Sequence, residues 1–165
     1  RFLVPYLQDY EGWALFCDND FLFLDDVKKI FDMRDDKYAL MCCQHDYYPE
    51  TIVKMVNKKQ TMYKRKCWSS LMLINCGHES VKKLDLSTVS EQSGKYLHQF
   101  KWLKDEEIGS IPRHWNWLVN WYKESDEDKP SALHFTEGGP WIVDSEYKDL
   151  WLKYKKQMEI NNVRK

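Results

Sequence analysis

Asp18-Asn19-Asp20 stands at the end of the apolar run Gly12-Trp13-Ala14-Leu15-Phe16-Cys17. Two carboxylates separated by one residue, at the exit of a buried strand, make a seat for a hard divalent cation. A Mn²⁺ or Mg²⁺ held there would bridge to the phosphates of a bound nucleotide. Asp and Asn also populate ordinary strand-ending turns. Far along the chain, Leu133-His134-Phe135-Thr136-Glu137-Gly138-Gly139-Pro140-Trp141 offers a histidine at the end of another apolar run. Singly, each has a plain structural explanation, a turn for the aspartates and a satisfied core position for His134. Together they make a case for a metal site.

These residues need elements to hold them. Arg1 to Tyr10 reads as a helix or helix end leading into a sheet. Gly12 to Cys17 is too short and apolar for a surface helix and is predicted to be a buried strand. Leu24-Asp25-Asp26 opens a helix, with Val27, Ile30 and Phe31 at helical spacing behind it. Tyr38 to Cys43 is a second strand, running into Gln44-His45-Asp46-Tyr47-Tyr48-Pro49, and Leu71 to Ile74 is a third. Short helices are expected over His78 to Leu84 and Ser87 to Phe100, then a strand over Ile108 to Pro112 leading into Trp115-Asn116-Trp117-Leu118. Lys123 to Lys129 is too densely charged to bury and forms a loop. Ser131 to Phe135 is the strand that delivers His134, and Glu146 to Met158 forms a terminal helix. Strands alternating with helices indicate an α/β layer structure in one domain over residues 1–165.

Composition narrows the function classes. A chain of 165 residues, 43% hydrophobic and 31% charged, encloses one core and is not disordered. Its net charge of −1 supplies no broad cationic surface for nucleic acid. No apolar stretch approaches the length of a membrane span. Five cysteines (Cys17, Cys42, Cys43, Cys67, Cys76) without a C-x-x-C spacing suit a reducing, cytoplasmic setting better than a disulfide framework or a zinc site. Eight Trp, ten Tyr and seven Phe are an aromatic excess, and most of these rings belong to the core by prior.

Four pieces, in order, resemble the nucleotide-sugar-dependent glycosyltransferases of the glycogenin and galactosyltransferase type (glycosyltransferase family 8). Arg1-Phe2-Leu3-Val4-Pro5 resembles the arginine-bearing helix before the metal strand, and Ala14 to Asp20 the hydrophobic strand ending in D-x-D. Trp68-Ser69-Ser70-Leu71-Met72-Leu73-Ile74-Asn75 resembles the family's FNSGVMLIN segment. Leu133-His134-Phe135 with Pro140-Trp141 resembles its HF…KPW segment. The resemblance implies a GT-A fold, a Rossmann-like mixed sheet binding a nucleotide sugar at the carboxyl ends of its strands. It also implies that Asp18, Asp20 and His134 ligate Mn²⁺ (or Mg²⁺), with Arg1, Asn19 and Ser70 near the donor. The donor is expected to be a UDP-sugar and the acceptor a hydroxyl, on a glycan or another molecule.

The chain departs from that pattern in places. The family's lysine before Pro-Trp contacts the diphosphate, but Gly139 stands before Pro140 here. Arg1, the cluster Lys64-Arg65-Lys66, or backbone N–H groups of Gly138 and Gly139 are the candidate replacements. The Asp-Gln pair beside the reacting sugar carbon has a loose counterpart in His98-Gln99, of which Gln99 is carried over as catalytic and His98 is given no role. Trp115 and Asn116 are candidates for an acceptor platform, while Trp117 and Trp121 suit packing beneath it. Glu137 would place a carboxylate near the acceptor hydroxyl, and the segment from His45 to Tyr48 falls where donor or acceptor loops lie. Relatives carry a portion before the arginine helix, and this chain starts at Arg1, so it reads as the carboxyl-terminal part of a longer enzyme.

The expected activity is therefore metal-dependent sugar transfer with retention of configuration. Two rivals remain open at this point. One is a nucleotidyltransferase or phosphohydrolase on the same aspartates, which would recruit further acids such as Asp25 and Asp26. The other is a non-catalytic carbohydrate-binding remnant of a transferase.

Overall fold

A computed structural model describes residues 1–46, 53–54, 58–59 and 64–163. The described strands form a four-stranded sheet, a three-stranded sheet and a two-stranded ribbon. Chain order begins with a short helix α1 (Val4–Leu7), whose Pro5 sits in the first turn where a missing N–H costs nothing. Strand β1 (Trp13–Cys17) follows, then β2 (Phe21–Phe23), helix α2 (Lys28–Phe31) and strand β3 (Leu40–Cys42). Strands β4 (Val53–Lys54) and β5 (Lys58–Lys59) form the ribbon, and β6 (Leu71–Asn75) returns to the main sheet. Helices α3 (Leu86–Glu91) and α4 (Gly94–His98) precede β7 (Ile108–Ser110). Strands β8 (Trp117–Leu118) and β9 (Ala132–His134) and the long helix α5 (Lys148–Val163) complete the chain.

The main sheet has the order β1-β6-β3-β7. Strand β6 runs antiparallel to both β1 and β3, and β3 is parallel to β7. Alternation along β3 and β6 sorts side chains onto two faces. Leu40, Cys42, Met72 and Ile74 meet Phe2, Leu84, Leu97, Phe100 and Trp102 on one side. Met41, Cys43, Leu71 and Leu73 meet Ile30, Ile111, Trp115 and Ala132 on the other. The second sheet, β2-β9-β8, shares that second cluster through Phe21, Phe23 and Ala132. Its opposite face carries Leu22, Trp117 and Leu133, covered by Leu150 and Trp151 of α5. All five cysteines are free thiols. No helix among the described residues is long and apolar enough to cross a membrane.

Most expected elements form, with several differences. The helix expected over His78 to Leu84 is a single tight turn, Val81–Lys83. Strand β1 is half-buried along its length rather than buried, because among the described strands only β6 pairs with it and it lies at a sheet edge. The helix expected over Ser87 to Phe100 is two helices. Asp85 caps α3 through the Thr88 N–H, and Ser93 caps α4 through the Tyr96 N–H, so the side chain of Ser93 restarts a helix where a continuous one would run. The strand β2 was not anticipated. Phe21-Leu22-Phe23 is too short to announce itself by alternation and owes its form to pairing with β9.

Candidate metal centre and cavity

The D-x-D segment is the link where the chain leaves one sheet for the other. Cys17, the last residue of β1, pairs with Leu71, and the Asp18 N–H donates to the Ser70 carbonyl at 2.9 Å. Two residues on, β2 opens with Phe21 opposite His134 of β9, and the Phe135 N–H donates to the Asp20 carbonyl at 3.0 Å. Two strand pairings, in two different sheets, thus close on the same three residues. One ligand atom each from Asp18, Asp20 and His134 lies within 4.8 Å of the others. His134 Nε2 is 3.4 Å from Asp20 Oδ1.

Those three side chains line a cavity of about 190 Å³, together with Arg1, Lys66, Cys67, Ser69, Ser70, His98 and Thr136. Ligands about 2.1 Å from one octahedral ion lie about 3.0 Å apart when adjacent and about 4.2 Å apart when opposite, so the three side chains would draw together around a shared ion. Two carboxylates with an imidazole are a donor set that suits a divalent cation. The volume is below the roughly 300 Å³ at which pockets begin to enclose a drug-sized ligand. It suits an ion with phosphate groups rather than a whole nucleotide sugar.

The charges are organised around that space. Arg1 Nη2 pairs with Asp18 Oδ1 at 2.7 Å, and its Nη1 donates to the Ser69 carbonyl at 2.9 Å. The guanidinium lies 5.2 Å from the centre of the Phe16 ring. Burial raises the Asp18 pKa above the usual carboxylate value, and the opposing pull of Arg1 does not cancel it. A carboxylate reluctant to ionise alone gains most from a cation beside it. Of the basic cluster, Lys66 is buried at 9% exposure and faces the cavity. Arg65 turns away, bonded to Asp105 at 2.5 Å and to the Gln99 carbonyl at 2.9 Å.

The remaining candidates separate into those the fold brings together and those it does not. Asn19 is exposed at the tip of the D-x-D link, and Ser70 is buried in the cavity wall. Gln99 lies outside the cavity, in a neighbouring depression with Lys64, Arg65 and Lys101. Its neighbour His98 lines the cavity instead, with Nδ1 2.7 Å from Ser69 Oγ. The Gly138 N–H is already given to the Phe135 carbonyl, and a Cβ on Gly139 would overlap the Trp141 ring. These glycines therefore allow a tight turn and close packing, and they do not line the cavity. Glu137 accepts from Trp121 Nε1 at 3.0 Å. Trp115 is 1% exposed and Asn116 is fully buried, so neither offers a face to an acceptor. Asp25 and Asp26 serve the start of α2: Asp25 pairs with Lys29, and Asp26 accepts from the Lys28 N–H. Of the segment after β3, His45 is buried and Asp46 exposed, while Tyr47 and Tyr48 lie outside the described residues.

His98 is a cavity residue to which sequence reading gave no role, as are Cys67, Ser69 and Thr136. The signal available for His98 was the cap at Ser93, which fixes the phase of α4 and turns Leu97 and His98 inward. His45 and His98 are both held neutral. Burial, with His134 nearby, lowers the His45 pKa to about 3. Burial, with Arg1 nearby, lowers that of His98 to about 4. The unfolded chain then binds more protons than the folded one between pH 6.5 and about 3, so stability is full above 6.5 and declines as pH falls. The expected decline from His45 is about 1.4 kcal/mol per pH unit across that window. Thermal melts from pH 7 to pH 4 should show a shallower fall in Tm for His45→Gln than for the native chain, and equal slopes would refute the assignment.

The comparisons with known proteins agree with this architecture. No family model matches the chain. "Protein CDI" of Arabidopsis thaliana is 49% identical over 168 residues, and the match covers 98% of this chain and 65% of that protein. The chain thus spans just under two thirds of that relative. Among solved structures, the glycosyltransferase GlyE of Streptococcus pneumoniae TIGR4 superposes with a TM-score of 0.59 at 15% identity, over 93% of this chain and 42% of GlyE. Its apo form gives a TM-score of 0.60 at 17% identity, over 93% of this chain and 41% of that one. The galactosyltransferase LgtC, in complex with donor and acceptor sugar analogues, gives 0.50 at 14% identity, over 87% and 60% of the two chains. With its mixed sheets and flanking helices, the chain has part of the fold of the GT-A glycosyltransferases.

Proposed function

We propose that this chain carries the metal and diphosphate site of a glycosyltransferase of the family 8 type, which moves a sugar from a UDP-sugar to a hydroxyl acceptor. The observation that carries the reading is the convergence of Asp18, Asp20 and His134 on one cavity that Arg1 and Lys66 also line. A bound Mn²⁺ or Mg²⁺ would supply Lewis-acid stabilisation of the charge that grows on the leaving diphosphate. Asp18, Asp20 and His134 would hold it. Arg1 orients Asp18 and closes one side of the cavity, and Lys66 adds a cation where the diphosphate lies. In this reading Lys66 replaces the lysine that Gly139 displaces before Pro140. The bond from the sugar's anomeric carbon to the phosphate oxygen breaks as the bond to the acceptor oxygen forms on the same face. The departing phosphate oxygen takes the acceptor's proton, so configuration is retained without a protein nucleophile.

The placement of Asp25 and Asp26 at a helix start, away from the cavity, favours this over a nucleotidyltransferase or phosphohydrolase needing more acids. The five free thiols favour a reducing, cytoplasmic setting for it. Calorimetric titration with UDP tests the proposal: binding is expected with Mn²⁺ and lost on its removal. Metal-independent sugar binding would favour the remnant reading instead, and no UDP binding in either condition would refute the donor site. Lys66→Gln is expected to weaken UDP binding about tenfold or more, as loss of a charge-assisted hydrogen bond does, while leaving Mn²⁺ binding unchanged. An unchanged UDP affinity would remove Lys66 from the site.

A further inference from the structure

A line of hydrogen bonds leads from a backbone carbonyl to His134, and its direction can be read from one end. The Cys67 carbonyl can only accept, so the hydroxyl 2.6 Å away, Ser70 Oγ, gives it its single proton. Ser70 Oγ must then accept from Asn116, whose amide nitrogen Nδ2 stands 2.9 Å away. With its NH₂ committed there, Asn116 presents its carbonyl oxygen Oδ1 to His134 Nδ1 at 2.8 Å. Two acceptors cannot share a hydrogen bond, so Nδ1 carries the proton. In the neutral ring, Nε2 is left with the lone pair, and Nε2 is the atom that faces Asp20.

Burial and packing hold both side chains in place. Asn116 is fully buried and His134 is 2% exposed. Phe21 stacks on the imidazole at a centroid distance of 4.5 Å and an interplanar angle of 19°, which holds the ring plane. His134 is also held by the pairing of β9 with β2 on one side and β8 on the other. Cys67, where the line begins, adopts a left-handed φ of 65°, an uncommon conformation for a residue with a Cβ, at the mouth of the short helical turn Trp68–Ser70. That turn supplies cavity wall through Ser69 and Ser70.

We infer that Asn116 and Ser70 are positioning residues that set the tautomer of His134 through the Cys67 carbonyl, so that the turn beside the cavity and the imidazole ligand are linked by one directional chain. The consequence for metal affinity rests on the proposed function; the tautomer does not. An imidazole ligand bonded through its second nitrogen to a fixed acceptor is held in register, and loss of such a partner commonly costs 10–100-fold in metal affinity.

Nitrogen-15 spectra of the imidazoles in the metal-free native chain, taken at alkaline pH so that the rings are neutral, read the tautomer directly. The expected result is a protonated Nδ1 and a pyridine-type Nε2 for His134. A protonated Nε2 would overturn the inference without any variant having to fold. Ser70→Ala frees the Asn116 amide to reverse, and is expected to mix the tautomers and weaken Mn²⁺ binding about 10–100-fold. Asn116→Asp, which keeps an acceptor opposite Nδ1, should retain the native tautomer where Asn116→Leu does not. Unchanged tautomer and unchanged Mn²⁺ affinity in folded Ser70→Ala would also overturn it. A native chain with protonated Nδ1 that binds no Mn²⁺ would support the relay and sink the proposed function, so the two failures are distinguishable.

Discussion

Asp20→Ala is expected to lower Mn²⁺ affinity by at least about a hundredfold, the upper end of what loss of a supporting partner costs and the least that loss of a direct ligand should. That corresponds to about 2.7 kcal/mol of binding free energy. The variant should fold as well as the native chain. The backbone of Asp20 holds a link to β9 that the substitution leaves in place, through the Phe135 N–H. Removing the carboxylate also relieves Asp18, whose pKa Asp20 helps to raise. Metal-free stability should therefore be unchanged or slightly higher, the pattern of a residue kept for binding rather than for the fold. Electron paramagnetic resonance titration of Mn²⁺ and a thermal melt of the metal-free protein read the two quantities separately. Intact Mn²⁺ affinity, or a sharp loss of metal-free stability, would show that Asp20 is an ordinary turn residue.

Trp115→Ala should act through the fold. Its ring is 1% exposed and packs in the cluster with Leu71, Leu73, Ile111 and Ala132, between the two sheets. Truncating a buried tryptophan typically costs about 3–5 kcal/mol. For a chain of this size that is a fall in Tm of roughly 10 °C. A platform for a sugar would behave differently, with acceptor binding lost and stability little changed. A melt within a degree or two of the native chain would return Trp115 to the acceptor role. The effect on the site should be indirect, since Trp115 immediately precedes Asn116, and the buried amide relies on the same turn for its aim.

Much of the site was legible because its signals are local. Apolar runs ending in Asp18, Asn75 and His134 announce strands with polar ends, and the order of four motifs announces the fold. The strands β2 and β8 were not legible in the same way. Two or three residues carry too little alternation to declare a strand, and their form comes from hydrogen bonds to β9, which lies near the other end of the chain. Without β2 the approach of His134 to Asp20 could be expected only by resemblance. The register Phe21 to His134 supplies its physical cause.

The amino-acid sequence by itself determined the apolar strands, the acidic pair, and the histidine at a strand end that could complete it. Those features depend on side-chain type and on short-range periodicity, which a chain carries wherever it lies. Only the tertiary structure decided that Lys66 rather than Arg65 faces the cavity, that His98 rather than Gln99 lines it, and that Asn116 stands behind His134. Adjacent residues share a local sequence but point in different directions. Which of them reaches the site is set by the phase of a turn or a helix packed against distant strands, and that packing forms only when the whole chain folds.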